Sequence, residues 1–361
     1  MKKFLDLSRL TLIMPTFNRS FYAKRSIDFW SNTNVNLIVM DGSNEPIESK
    51  YIEYLATNVT YIHTQTSWID RILAGSNLSS TSYTMLVNDD EFFLPSALEY
   101  MIDYLDNHKS ISCVKGSSAV FSRVYNSNFY SLIYSDYDQV NLSSESNLER
   151  IKNHLVPYKA VSLFGMIRSE VFKISVQVAK IFSQIPTVDS WELGFVIANS
   201  YQGKVKVLPI LYWLRSIENS PVWGTKGITT LTWAHQNYSS KVFQDISNKL
   251  DVELKNTLYQ KGNSELGIFR YVIGVYLMNY SKLNALNTSH QFHLALKTFK
   301  QKVMHNMELI RFLYYQQSSF RHSSWLSGSK LSQTITSTVN FSDLQEIESH
   351  LGKSSSNRAF M

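Results

Sequence analysis

Between Leu10 and about Leu214 the chain alternates short apolar runs with stretches in which apolar residues recur at helical spacing. That alternation predicts strands and helices in turn, and hence an α/β domain. Leu10 to Met14 reads as a first buried strand, and a helix from about Ser20 presents Ala23, Ile27 and Trp30 on one face. Asn36 to Met40 predicts a second strand, ending at the turn signal Asp41-Gly42-Ser43. Thr60 to His63 predicts a third strand and Trp68 to Leu78 a helix. Tyr83 to Val87 predicts a fourth strand, which runs directly into Asn88-Asp89-Asp90-Glu91. Pro95 then stands where the first turn of a helix tolerates it, ahead of the stripe Leu98, Met101, Ile102 and Leu105. Further strands are expected at Ile111 to Val114, Ala119 to Val124 and Ser162 to Ile167. Helices follow at Glu170 to Phe182 and from near Asp189, and Lys204 to Leu214 closes the series as an apolar strand.

Beyond about Gly224 the strand signals stop and helical periodicity dominates. Two domains are therefore expected, 1–223 and a mainly helical 224–361. Phe292, Leu296, Phe299, Val303, Met307, Ile310 and Tyr314 form one amphipathic face, with Lys297, Lys300, Lys302 and Arg311 on the other. Such a basic helix packs on its own domain, or docks on a membrane surface or partner enzyme. From Ser318 onward Ser and Thr accumulate, which predicts a mobile tail.

Composition narrows the function classes. A net charge of +6 over 361 residues is far from the dense basic stripe of a nucleic-acid binder, so no nucleic-acid partner is expected. The single cysteine, Cys113, excludes an intrachain disulfide and a cysteine zinc site. Aromatic residues are 13% of the chain, enough both to fill a core and to stack on sugars. The opening Met1-Lys2-Lys3-Phe4-Leu5 is interrupted by Asp6 and Arg9, unlike a secretory signal, and no apolar run is long enough to span a bilayer. A cytoplasmic protein is expected, with a peripheral place at the inner membrane face if the basic helix docks there.

Three segments can carry chemistry. The acidic cluster Asn88 to Glu91 stands at the carboxyl end of a buried strand, where ligands bind in open α/β sheets. Neighbouring carboxylates there suit a divalent cation, Mg²⁺ or Mn²⁺, shared with a diphosphate. Equally, an acid of the cluster could cap the helix that begins near Pro95. Pro15-Thr16-Phe17-Asn18-Arg19 follows the first strand and could face a nucleotide, or be a plain loop in which Asn18 or Ser20 caps. Asp41 could accept from a base or ribose, though Asp-Gly is also a common turn.

In this order and spacing, the segments resemble the inverting glycosyltransferases of family two, which have the GT-A fold. The match consists of the Pro-Thr-Phe-Asn-Arg segment, the Asp-Gly-Ser turn, and, about 45 residues later, the acidic strand end with its proline-started helix. The resemblance implies a Rossmann-like nucleotide-diphospho-sugar transferase domain with an α-helical C-terminal extension. It implies a nucleotide-sugar donor and a glycan or lipid-linked acceptor, in cell-surface polysaccharide synthesis. Pro15, Thr16, Phe17, Asn18 and Asp41 would hold the base and ribose, and Arg71 would face the diphosphate unless it is a surface residue. Asp90 would bind the metal, with Asp89 beside it. Asn88 departs from the usual first acid, so it would ligate through its amide or touch the sugar. The family's general base matches Val188-Asp189-Ser190-Trp191-Glu192-Leu193, giving Asp189 or Glu192, with Ser190 in the place of the second acid. An Asp with a Glu three residues on is also a capping-box pattern. Two other classes remain: a non-catalytic binding scaffold on a degenerate transferase fold, favoured by Asn88 and Ser190, and a sugar nucleotidyltransferase, disfavoured by the missing glycine-rich loop.

Overall fold

The structure, a computed structural model, describes residues 5–124, 127–133, 142–155, 160–216, 228–258, 267–285, 326–327 and 341–358. The expected amphipathic helix from Phe292 to Tyr314 lies outside these residues, as does Gly224.

The strands run β1 (Leu10–Thr16), β2 (Asn36–Asp41), β3 (Val59–His63), β4 (Tyr83–Leu86), β5 (Phe92–Phe93), β6 (Ile111–Val124), β7 (Ser127–Ile133), β8 (Met166–Arg168), β9 (Lys204–Ser216) and β10 (Leu326–Ser327). Helices in chain order are α1 (Ser20–Trp30), α2 (Ser49–Ile52), α3 (Trp68–Leu78), α4 (Pro95–Asn107), α5 (Asn147–Leu155), α6 (Ser169–Phe182), α7 (Ser190–Gln202), α8 (Thr230–Asn237), α9 (Lys241–Leu258), α10 (Ile268–Ala285) and α11 (Phe341–Arg358).

All strands share one mixed sheet, ordered β10-β7-β6-β8-β4-β1-β2-β3, with β9 pairing both β5 and β6. β1 lies parallel to β2 on one side and β4 on the other, with Thr16 opposite Asp41 and Ile13 opposite Leu86. β1 is therefore a topological switch point, and its carboxyl end opens a crevice between the loops after β1 and β4. Every residue of β1 is buried, because helices cover both of its faces.

Sequence patterning missed how far the sheet extends. The predicted strands Ile111 to Val114 and Ala119 to Val124 are one strand, β6, because Gly116 is not a break. A Cβ there would lie 2.3 Å from the Ile210 carbonyl oxygen, so glycine lets β6 and β9 pack closely. The expected strand from Ser162 is a 3-10 turn over Ala160–Phe164, and β8 begins only at Met166.

A core cluster centred on Trp30, Phe92, Phe121 and Trp213 fills one face of the sheet. A second, with Phe172, Trp191 and Phe195, fills the other. A third joins α5, α6 and α7 to the C-terminal helices through Phe182, Ile197, Trp233, Phe243, Phe269 and Ile273. Helix α11 returns to the first cluster, where Leu344, Ile347 and Leu351 are buried. Among the described residues, no helix is long and apolar enough to cross a membrane.

Candidate functional site

The site is built where β1, β2 and β4 end. Asn18 turns the chain after β1 in the left-handed region, φ 54°, which Asn tolerates better than most residues. Its N–H donates to Ser43 Oγ (2.7 Å), and its Oδ1 accepts from the Asn44 N–H (3.0 Å), tying the loops after β1 and β2 together. Asn18 and Ser20 do not cap α1, whose N-cap position is Arg19 without a capping side chain. Phe17 is 47% exposed beside them, an apolar face at the rim of the crevice.

Asp41 is 1% exposed and fully engaged. Its Oδ1 accepts from Ser43 N–H (2.8 Å) and Ser43 Oγ (2.5 Å), and its Oδ2 accepts from the Tyr61 hydroxyl (2.6 Å). Burial and the bond to Asp41 push the Tyr61 phenol above its ordinary range, so it stays a donor. Asp41 therefore shapes the loop after β2 rather than waiting free.

Arg71 is not a surface residue. At 4% exposure it donates to the Thr16 and Met40 carbonyls, the ends of β1 and β2. Gly42 lies against it so closely that a Cβ would sit 2.3 Å from Arg71 Cζ. Burial lowers its pKa, opposed by the charge of Asp41. Its Nε has no hydrogen-bond partner among the described residues.

Across the switch point, Thr16 Oγ1 donates to Asp89 Oδ2 (2.7 Å) in a buried bond between the ends of β1 and β4. Arg19 bridges both acids, Nη1 to Asp89 Oδ1 (3.0 Å) and Nη2 to Asp90 Oδ2 (2.5 Å). Burial works against the Arg19 charge, but Asp89 and Asp90 outweigh it and hold its pKa above the usual value. Burial raises Asp89 to about 6 despite Arg19. Glu91 goes up to about 8, through burial and the Asp90 charge. It accepts from Trp213 Nε1 (2.8 Å), faces Arg215 at 3.8 Å and is hydrogen-bonded by Asn88. No acid of the cluster caps α4, whose N-cap position is Leu94, without a capping side chain.

These donors decide what cation could fit. Among the described residues no group of three His, Cys, Asp or Glu side chains could hold a metal, so a protein cage does not fit. An ion shared with a diphosphate needs only one or two protein carboxylates. Asp90, at the strand end with its side chain 12% exposed, suits that role.

A second acidic pair stands at the start of α7. Asp189 occupies the N-cap position of α7 but makes no capping bond there, so the capping-box pattern is not realised. Instead its Oδ1 accepts from Thr230 N–H (2.6 Å) and Thr230 Oγ1 (2.7 Å) at the start of α8. Ser190 is buried and donates to the Ile185 carbonyl at 3.3 Å, pointing inward. Glu192 is half-buried, and both carboxylates, after burial, raise the pKa of the Tyr276 phenol on α10. Trp191 lies 6.0 Å edge-on from Trp68, whose ring has Arg71 Cζ 5.8 Å above it. The first turn of α7 is thereby joined to the β1–β2 end of the crevice.

Residues 11–172 match the model of glycosyl transferase family 2. Over these residues the chain is similar to that family. A crystal structure of S. aureus TarS 1–349 in complex with UDP-GlcNAc is similar at 12% identity and a TM-score of 0.50, covering 77% of this chain and 74% of that one. S. aureus TarS 1–349 also matches at 13% identity and TM-score 0.48, covering 77% of this chain and 73% of that chain. A longer S. aureus TarS structure matches at 12% identity and TM-score 0.47, with 75% of this chain spanning 43% of that one. Among curated proteins no sequence matches the chain. The fold is GT-A with a helical C-terminal extension, as the sequence resemblance implied.

Sequence reasoning missed Arg19 as the partner of both acids and Ser43 as the partner of Asp41 and Asn18, and it missed Tyr61, Thr230 and Tyr276 altogether. Of these only Arg19 and Ser43 lay inside motifs, as the last residues of Pro-Thr-Phe-Asn-Arg and of Asp-Gly-Ser. Tyr61 becomes visible once the β2–β3 register is known, because Asp41 opposes His63 and brings Tyr61 alongside.

Proposed function

We propose that this transferase moves a sugar from a nucleoside-diphosphate donor to a hydroxyl of a glycan or lipid-linked acceptor, with inversion, in cell-surface polysaccharide synthesis. The observation that carries the reading is the joining of β1 and β4 across the switch point by Thr16–Asp89 and by Arg19 on Asp89 and Asp90. A nucleotide seated there would have Phe17, the Asn18 loop and Asp41's hydrogen-bonded turn at its nucleoside end. Its diphosphate would lie toward Arg19 and the acidic loop. Arg71, buried under Gly42, would stiffen the nucleoside end instead of reaching the phosphates.

A divalent ion, when bound by Asp90 with Asn88 or Asp89 beside it, would neutralise charge on the leaving diphosphate. The chain's own residues would do the rest. In the displacement the acceptor oxygen bonds the anomeric carbon, the bond from that carbon to the phosphate oxygen breaks with its electron pair, and the acceptor proton passes to a carboxylate. Asp189 is suited to receive it. Its Oδ1 is fixed by Thr230 and its Oδ2 has no hydrogen-bond partner among the described residues. Glu192 is the second candidate, one helical turn further on.

UDP-GlcNAc, the ligand of one structural neighbour, is the first donor to test. Calorimetric titration of UDP and UDP-GlcNAc, with and without Mn²⁺, should show metal-strengthened binding to wild type and at least about tenfold weaker binding to Asp90→Ala. A second reading, a non-catalytic binding scaffold, draws on Asn88 and on the ion pairs that tie up both acids. Nucleotide binding without turnover of any donor would favour it. No nucleotide binding under either condition would remove the donor-site reading itself.

A further inference from the structure

Helix α4 begins just past the acidic loop and β5, and the first turn of a helix needs acceptors for its free N–H groups. Its own sequence offers none, since Leu94 stands at the N-cap and Pro95 follows. The acceptor comes from 247 positions away: Asp343 Oδ2, on α11, takes hydrogen bonds from Ser96 N–H (2.9 Å) and Ser96 Oγ (2.6 Å). Asp343 is 4% exposed, and a carboxylate buried at a helix N-terminus is favoured by the helix dipole as well as the bonds.

The same helix supports the loop from its other side. His350 meets the edge of Phe29 at 5.5 Å, and Phe29 meets Phe92 at 5.3 Å. Arg25 lies over Phe92, with Cζ 5.2 Å from the ring centroid, and donates through Nη2 to the Asp90 carbonyl (3.1 Å). Glu348 accepts from the Tyr130 hydroxyl (3.0 Å), and Leu344, Ile347 and Leu351 are sealed in the core. The segment between β4 and α4 is short. Whatever fixes Ser96 and Phe92 therefore anchors the far end of the loop whose carboxylates Thr16 and Arg19 hold.

We propose that α11 is a working part of the donor site and that Asp343 is a positioning residue for the loop Asn88 to Glu91. The inference rests on the donor reading above for its function, and on the contacts of Asp343 and His350 for its geometry. It makes the donor site depend on a segment far outside the residues that match the family.

Full-length wild type, Asp343→Ala, Asp343→Asn and Leu351→Ala would be compared at a temperature where all are folded. Leu351→Ala weakens α11 packing without touching Ser96, and so controls for stability. Asp343→Ala should weaken UDP binding on the order of tenfold and speed hydrogen exchange at amides from Asp89 to Leu98, as loss of a cap would. Asp343→Asn keeps an acceptor oxygen and should restore both. Leu351→Ala should lower the melting temperature with little change in either. Unchanged UDP affinity and amide protection in Asp343→Ala would overturn the proposal, as would equal losses in Leu351→Ala. If wild type binds no UDP, the donor reading fails, and exchange alone decides the positioning. Faster exchange confined to the loop and first turn in Asp343→Ala supports it, and unaltered protection overturns it.

Discussion

Arg71 and Gly42 show how a single position can set the site. The guanidinium is held by two strand-end carbonyls under the loop after β2, and a methyl group at Gly42 would lie 2.3 Å from its carbon. Neither side can yield cheaply. Gly42→Ala should therefore cost roughly 1–3 kcal/mol of stability by overpacking, read as a lower urea midpoint, and should weaken nucleotide binding. A variant with unchanged midpoint and affinity would show that Arg71 moves freely. Cys113 makes a second residue-scale test. It is fully buried, and burial pushes its thiol up to about 12. The native protein should resist thiol reagents at pH 8, reacting only at the rate at which it opens, and fully in urea. At this scale the sequence was informative where chemistry sits at a strand end. Thr16, Asp41 and Asp89 stand at the ends of strands that periodicity marks. It was silent where a partner comes from another element, as with Arg19 on Asp90 or Thr230 on Asp189.

At the scale of elements, α7 and α8 are joined by Asp189, which occupies the N-cap position of one helix while bonding the first turn of the next. The two roles of this carboxylate separate by mutation. Asp189→Ala should lose about 1 kcal/mol of stability, typical of a removed cap, together with most of the turnover. Asp189→Asn keeps an acceptor for Thr230, so its melting temperature should stay near wild type while turnover falls by orders of magnitude. Near-normal turnover in Asp189→Asn would transfer the base role to Glu192 or remove it from this helix. Helices α1, α3, α4, α6 and α7 and the parallel strands β1 to β4 were legible because each is a local period, whereas α2 and α5 were not foreseen. The rest of the sheet was less so: β7 was not foreseen, the tiny β5 has too few residues for a period to register, and β6 is bridged by a glycine that reads as a turn. The pairing of β5 and β6 with β9 is a long-range property that only the folded sheet defines.

For the whole molecule, the question is whether residues 1–223 and 224–361 are separable, as the change in pattern near Gly224 suggested. Two sets of contacts cross that boundary. Trp233, Phe243, Phe269 and Ile273 share a core with Phe182 and Ile197, and Leu344, Ile347 and Leu351 lie in the main core of the sheet. Removing a buried Leu or Ile side chain costs about 2–5 kcal/mol, and a whole domain is stable by only about 5–15 kcal/mol. Losing the three α11 side chains alone would thus consume most of the margin. We therefore expect the 1–223 fragment to be insoluble or to lack a cooperative thermal transition, and the full chain to melt in a single step. A fragment 1–223 that melts cooperatively and binds UDP like the full chain would mean that the helical part is an appendage. The donor site would then owe nothing to α11. An intermediate fragment, 1–340, sharpens the test, because it keeps the α8–α10 core and deletes only α11. If it folds but binds nucleotide weakly, the helix contributes to the site beyond stability, since the fold would stand while the loop after β4 lost its far anchor.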